Sequence, residues 1–231
     1  MTIRPYIVLL LAFSLPGCRQ AADMPTPSPE TRAVATGDTK EGNQDGTVIE
    51  YYENGNVREK YTRKDGKLQG QYLRYWSNGD LESSSNYLDD MLEGPVTQYY
   101  ESGNRVRSIL QYHDGKRHGP YTTFYRDGTV RYVFEYENDR LIGKIATYYP
   151  SGQQFSSYAL TTHGTNGEML FYYENGQLSE RFFNVSGVAN GEYVSYYEDG
   201  RVHRRGHYRM GTMVGDWHTY DTLGRETVVH Y

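Results

Sequence analysis

The chain has 231 residues, a net charge of −5, 25 tyrosines and a single cysteine. The acidic balance argues against a nucleic-acid-binding role, because proteins with that role present clustered positive charge to phosphate groups. One cysteine leaves no second thiol for a disulfide within the chain. Packing alone must therefore hold the folded part together.

The first residues have the features of an export signal. Arg4 supplies a positive charge, and residues 7–13 form an apolar core that is too short to span a bilayer as a helix. The stretch Leu15-Pro16-Gly17-Cys18 then places a small residue before the cysteine. These features predict a signal peptide over residues 1–17. If Cys18 has no part in processing, the alternative is an ordinary secretory signal with an unrelated cysteine behind it.

The stretch that ends at Cys18 resembles the lipobox of bacterial lipoproteins. This resemblance implies cleavage before Cys18 and lipidation of that cysteine, with palmitate among the acyl chains, so that a membrane anchors the protein. Each buried CH₂ group contributes about 0.8 kcal/mol to such anchoring. Arg19 follows the cysteine, and in a Gram-negative cell the resemblance then favours the outer membrane over the inner one.

Residues 18–46 differ in composition from the rest of the chain. They are rich in Pro, Thr, Ser, Gly, Ala and charged residues, and they contain almost no large apolar residue. Such a segment cannot bury enough surface to offset the entropy lost on ordering. The prediction is a disordered tether with a typical span of roughly 30 Å.

An aromatic pair followed by a turn recurs after this segment with a period of 24 residues. The turn glycines are Gly55, Gly79, Gly103, Gly128, Gly152, Gly176, Gly200 and Gly224. A second series in the same phase comprises Gly70, Gly94, Gly119, Gly143, Gly167, Gly191 and Gly215. One extra residue lies between Gly103 and Gly128. Glycine suits turns that need positive φ, so each period is predicted to contain two turns and two strands.

The segments between the glycines are short and rich in aromatic and β-branched residues, which favours strands over helices. The two residues of each aromatic pair, such as Tyr51 and Tyr52, are predicted to point to opposite faces of a sheet. Residues 47–231 are therefore predicted to form an all-β domain. Its fold is an elongated single-layer antiparallel meander of about seven β-hairpin repeats, roughly 70 Å long. The first and last strands, near Val48 and Val228, are predicted to be edges open to pairing.

Residues 112–128, YHDGKRHGPYTTFYRDG, resemble a MORN repeat, and residues 63–79, RKDGKLQGQYLRYWSNG, show the same frame. The resemblance covers residues 47–231 and is strongest to the bacterial variant that is grouped with antitoxin-like repeat proteins. It implies the hairpin-repeat fold and raises an antitoxin or immunity role. A second resemblance is carried by the C-terminal YDTLGRETVVHY, which is similar to a YD repeat of the Rhs type, whose strands build hollow shells.

Known catalytic motifs do not occur in the sequence. His203 and His207 have the most ligand-like spacing, but a strand holds such residues about 13 Å apart unless the chain bends at Gly206. Several carboxylates, Glu53, Glu101, Glu174 and Glu198, recur at one place in the repeat and are best explained as a repeat feature. We therefore predict no catalytic residues, no metal site, no cofactor and no enzymatic activity.

The second residues of the aromatic pairs form a column with two interpretations. The column consists of Tyr52, Trp76, Tyr100, Tyr125, Tyr149, Tyr173 and Tyr197. One interpretation is that these side chains pack the sheet. The other is a binding strip for a protein segment or a glycan, because exposed aromatic patches mark interaction sites.

These observations predict a non-enzymatic, membrane-anchored lipoprotein whose repeat sheet is a scaffold for a protein partner. A glycan-binding or cell-wall-binding module is an alternative that rests on the aromatic strip. An antitoxin or immunity protein is a further alternative, which rests on the family resemblance.

Overall fold

A computed structural model describes residues 33–36, 39–40, 43–159 and 166–231, with side chains from residue 45 onward. The predicted signal peptide, the lipidation site at Cys18 and residues 18–32 of the predicted tether lie outside the described residues. The described residues form strands and turns. No helix among them is long and apolar enough to cross a membrane.

The strands up to residue 99 are β1 (Ala33–Thr36), β2 (Thr39–Lys40), β3 (Asn43–Gln44), β4 (Gly46–Tyr51), β5 (Val57–Lys64), β6 (Lys67–Leu68), β7 (Gly70–Tyr75), β8 (Leu81–Leu88), β9 (Met91–Leu92) and β10 (Gly94–Tyr99). The later strands are β11 (Val106–His113), β12 (Lys116–Phe124), β13 (Val130–Glu137), β14 (Arg140–Tyr148), β15 (Gln154–Ala159), β16 (Gly167–Tyr172), β17 (Leu178–Val185), β18 (Val188–Tyr196), β19 (Val202–Arg209), β20 (Thr212–Tyr220) and β21 (Glu226–His230).

Apart from the small β2–β3 hairpin, these strands belong to one sheet, and every pairing in it is antiparallel. From β4 onward each strand pairs with its neighbours in the chain, with β6 and β9 as short additions at hairpin tips. The all-β antiparallel meander predicted from the 24-residue period is confirmed.

The second glycine series does not form turns, which corrects the prediction. The described tips at this end of the hairpins are two-residue turns with positive φ at both positions, as at Asp65 (54°) and Gly66 (76°), the geometry of a type I′ turn. Gly119 (93°) lies further into the sheet, where residues 118–120 of β12 face the single residue 111 of β11. The second series therefore marks β-bulges, which favour the same backbone region as turns.

The first glycine series forms the other turn, as predicted. The Gly55 N–H donates to the Tyr52 carbonyl at 2.9 Å, and the Tyr52 N–H donates to the Asn56 carbonyl at 2.8 Å. This is a three-residue hairpin loop with glycine in the left-handed region. In the loop after Tyr100, the N–H of Tyr100 donates instead to the carbonyl of Arg105 at 2.8 Å. The extra residue of the repeat therefore lies in this loop.

One face of the sheet buries a continuous stripe of side chains, and we call it the packed face. Its centre is formed by Phe134, Tyr136 and Ile145, against which Tyr121 and Tyr158 pack among others. Ring contacts continue from there toward the C-terminus, and Trp217 is the most deeply buried of the apolar side chains that the structure describes. A single layer of strands thus builds a narrow core because large rings of successive strands cover one another.

The N-terminal edge differs from the prediction. β4 is not an edge, because β1 pairs with it along its length, with Ala35 opposite Val48. β1, β2 and β3 lie within the segment whose composition predicted a tether. At the other end β21 pairs with β20 alone among the described strands, and Val228 and Val229 are 48% and 46% exposed. The C-terminal edge is confirmed.

Candidate functional site

The predicted binding strip forms a hydrogen-bonded ladder between repeats. Six of its seven members are tyrosines, and each hydroxyl donates to a backbone carbonyl of the next repeat at 2.7 to 2.9 Å. The donor and acceptor pairs are Tyr52 to Tyr75, Tyr100 to Phe124, Tyr125 to Tyr148, Tyr149 to Tyr172, Tyr173 to Tyr196 and Tyr197 to Tyr220. Each bond fastens one hairpin to the following one.

Partial burial supports this role of the ladder. Desolvation raises the pKa of Tyr52, Tyr125 and Tyr149, so these hydroxyls stay protonated and remain donors at neutral pH. The accepting carbonyls lie beside the hairpin turns. A carbonyl left there without a partner would cost free energy, so the ladder stabilises both the repeat contact and the turn.

Trp76 is the one member of the column that has no hydroxyl, and its Nε1 is buried without a hydrogen-bond partner. We expect Trp76→Tyr to be more stable than Trp76→Phe by about 1 kcal/mol, because only tyrosine can donate to the next repeat. Urea denaturation of the two variants measures this difference. Equal stabilities would show that the ladder bonds contribute nothing, and Tyr149→Phe serves as the matched loss of one existing bond.

A row of buried polar side chains runs beside the ladder. Glu59 is 6% exposed and accepts hydrogen bonds from the Tyr72 hydroxyl and from Nε and Nη2 of Arg74, the latter two at 3.0 and 2.6 Å. Ser108 and Ser156 hold the same place in later repeats and are also buried. The sequence marks these positions as polar, but it does not show that they are buried.

Four arginines gather around the ladder in the middle of the sheet. Arg126 lies over the ring of Tyr100 at 4.8 Å. Arg131 lies over two rings, those of Tyr125 at 5.6 Å and Tyr132 at 4.7 Å. Arg107 Nη2 donates to Gln98 Oε1 at 2.7 Å, and Arg105 Nη1 donates to the carbonyl of Arg126 at 2.7 Å. This cluster was not predicted from the sequence.

A signal for the arginine cluster was present in the repeat. The position of Arg126 is occupied in the other repeats by acidic, small or neutral residues, namely Glu53, Ser77, Glu101, Pro150, Glu174, Glu198 and Thr222. A comparison of charge at equivalent repeat positions would therefore have separated Arg126 from the residues that the repeat itself requires.

The histidines take local roles in the described sheet. The ring of His203 contacts that of Tyr197 in a tilted arrangement with centroids 4.7 Å apart, and burial, followed by the charge of Arg204, lowers the pKa of His203. His207 lies on the same strand, and no group of three potential metal ligands includes either residue in the part of the chain with described side chains. His163 lies outside the described residues.

The group of three potential ligands that does occur there is Glu93, His113 and Asp114, whose ligand atoms lie within 4.8 Å of one another. Glu93 accepts the Asp114 N–H at 3.0 Å, and it lies 3.1 Å from Nδ1 of His113. These contacts lower the pKa of Glu93 and raise that of His113. The contacts of Glu93 with His113 and Asp114 fix a hairpin tip to the preceding repeat. This structural role explains why the three side chains lie together.

A sheet of 24-residue hairpins fastened by an aromatic ladder defines a β-hairpin repeat protein. The chain belongs to the MORN repeat variant family, whose model matches residues 44–65, 68–89, 92–114, 117–138, 165–183 and 189–210. The resemblance of the repeats to MORN repeats is thereby confirmed. The described strands form an open sheet, as expected for this family and not for a hollow shell.

No curated protein matches the chain. Among solved structures it is similar to a TcdB2-TccC3-Cdc42 structure (14% identity, 79% of this chain, 12% of that chain, TM-score 0.23). It is also similar to a TcdB2-TccC3 structure (13%, 79%, 13%, 0.23). A third is the Photorhabdus luminescens Tc holotoxin pore with the TccC3-D651A mutation (14%, 78%, 13%, 0.20). The chain spans 12 to 13% of the length of these chains.

Proposed function

We propose that the protein is a non-enzymatic scaffold, anchored to a membrane through a lipid on Cys18, whose repeat sheet binds a protein partner. The observation that carries the proposal is the ladder, which fastens successive hairpins into one continuous platform. Binding and scaffolding are common roles of MORN repeats. A platform of this kind suits them because its surface is fixed before the partner arrives, which lowers the ordering cost of association.

The distribution of side chains supports a binding role for the packed face. The arginines of the central repeats lie on aromatic rings there, and arginine and tyrosine are the residue types enriched in the energetically dominant parts of protein interfaces. The same stacking covers faces of Tyr100, Tyr125 and Tyr132. This favours a protein partner over a glycan, which stacks on uncovered rings.

The experiment is crosslinking in cells followed by affinity capture of the full chain and identification of the captured proteins. We expect one protein to be enriched over an unrelated lipoprotein, and its purified form to bind the purified chain. Failure to recover a specific protein, together with failure of direct binding, would contradict the scaffold.

The anchor is tested separately from the scaffold. Palmitate labelling in cells should mark the wild-type chain and not Cys18→Ser, and the variant should leave the membrane fraction or retain its signal peptide. If Cys18→Ser is labelled and sediments as the wild type does, the lipid anchor at Cys18 is wrong, whatever the partner proves to be.

A further inference from the structure

The central part of the packed face carries an arginine–tyrosine patch, which we define as Tyr100, Arg107, Tyr125, Arg126, Arg131 and Tyr132. Each guanidinium of the patch is held by a neutral group. Arg126 and Arg131 lie over tyrosine rings, and Arg107 is bonded to the amide oxygen of Gln98. None of the three forms an ion pair within the part of the chain with described side chains. Arg107 interacts electrostatically with the carboxylate of Glu82 without forming an ion pair with it.

Arginines of the first repeats on the same face behave differently. Arg58 pairs with Glu50 at 2.9 Å, and Arg74 pairs with Glu59 at 2.6 Å. Arg107 and Arg131 occupy the same place in the repeat as Arg58 but lack its carboxylate partner. The sheet therefore neutralises its arginines near the N-terminal end and leaves them unneutralised in the middle.

The patch also coincides with the one departure from the 24-residue period. The extra residue in the loop after Tyr100 is accommodated there, and Arg105 of that loop donates to the carbonyl of Arg126. This bond fixes the backbone from which Arg126 reaches the ring of Tyr100. The bond itself recurs in other repeats, where Asn56 donates to the carbonyl of Ser77 and Arg201 to that of Thr222. Among the described repeats, only Arg126 carries a guanidinium from this position over the ring of the preceding repeat.

The guanidinium groups of the patch favour a ligand that carries carboxylates. A guanidinium stacked on a ring keeps its edge free, and that edge matches the two oxygens of a carboxylate. Arg107 and Arg131 stand two strands apart on the sheet, a separation of about 10 Å. A peptide in the polyproline II conformation, with three residues per turn and a rise of about 3.1 Å per residue, covers that distance in about three residues and presents every third side chain on the same side.

We propose that the patch binds an extended acidic segment of the partner protein, with carboxylates on every third residue. The inference rests on the proposed scaffold function and names the chemistry of its partner. The ring faces of the patch are covered by guanidinium groups, so an anionic glycan would lack the stacking surface that sugar rings use. Binding of an anionic glycan is one of the outcomes that the test distinguishes.

The test measures binding of a fluorescein-labelled peptide of Glu-Ser-Gly repeats to the full chain by fluorescence anisotropy. We expect binding that weakens with salt, and no binding of the matched Gln-Ser-Gly peptide. Arg126→Glu with Arg131→Glu should weaken binding about tenfold or more, because two charge-assisted contacts become repulsive. Arg140→Glu with Arg209→Glu makes the same change of charge at exposed sites outside the patch and should leave the affinity near the wild-type value.

Three results would overturn the inference. These are absence of binding to the glutamate peptide, equal loss in both double variants, or binding of sulfated dextran that depends on the patch while the peptide does not bind. Circular dichroism of each variant checks that the sheet is intact. If a partner is captured in cells but the peptide does not bind, only this inference fails and the scaffold function remains.

Discussion

Gly206→Leu is expected to lower the free energy of unfolding by about 3 kcal/mol. A Cβ atom added at Gly206 would lie 2.3 Å from Cδ2 and 2.5 Å from Cε2 of Trp217. The indole has no room to withdraw, because Trp217 is 1% exposed and its ring packs on Tyr193 and Tyr208 at centroid distances of 5.4 and 5.0 Å. Urea denaturation followed by circular dichroism measures the loss.

A second substitution provides the control for Gly206. In an earlier repeat the equivalent places are held by Leu110 and Tyr121, which lie opposite each other in the sheet. Combining Gly206→Leu with Trp217→Tyr reproduces that pair, so the double variant should recover most of the loss and give a favourable coupling of about 1 to 3 kcal/mol. Additive losses would show that the close approach of Gly206 and Trp217 does not govern packing at this end of the sheet.

Glu59→Leu is expected to cost about 3 kcal/mol of stability, since it breaks a buried ion pair. The substitution leaves the guanidinium of Arg74, whose side chain is 15% exposed, without its carboxylate. It also removes the acceptor of the Tyr72 hydroxyl. Chemical denaturation at neutral pH measures the change.

The matched control again comes from another repeat, two periods further along the chain. Ser108 and Thr123 hold the places of Glu59 and Arg74 without any ion pair. Glu59→Ser with Arg74→Thr should therefore be much more stable than Glu59→Leu alone, because no charge stays buried without a partner. A single Glu59→Leu variant as stable as the wild type would mean that the pair is not buried from water as the structure shows.

The local features of the fold could be predicted from the sequence because they repeat. Glycine phase and aromatic placement recur every 24 residues, and each occurrence supports the others, so the meander and the turns at Gly55 and its equivalents are confirmed. The turn predicted at Gly119 was wrong because a bulge and a turn both favour positive φ, and sequence alone does not distinguish them. The edge near Val48 was wrong because the composition around β1 does not resemble a strand of the repeat.

The candidate site was predictable only in part. The aromatic column was identified, but its hydroxyl bonds depend on how far a side chain reaches into the next hairpin, as in Tyr125 to the carbonyl of Tyr148. The arginines were missed for the opposite reason, since they do not repeat. Arg126 lies in a turn and Arg131 in the following strand, and both contact tyrosine rings of the ladder.

The most direct test of the scaffold is photocrosslinking in cells from single positions of the full chain. A photoreactive amino acid at Thr129, beside the patch, is expected to capture the same partner protein that affinity capture recovers. The same amino acid at exposed Arg140, outside the patch, should capture that protein weakly or not at all. Equal capture from both positions, or no capture from either, would contradict a partner bound to the packed face of the sheet.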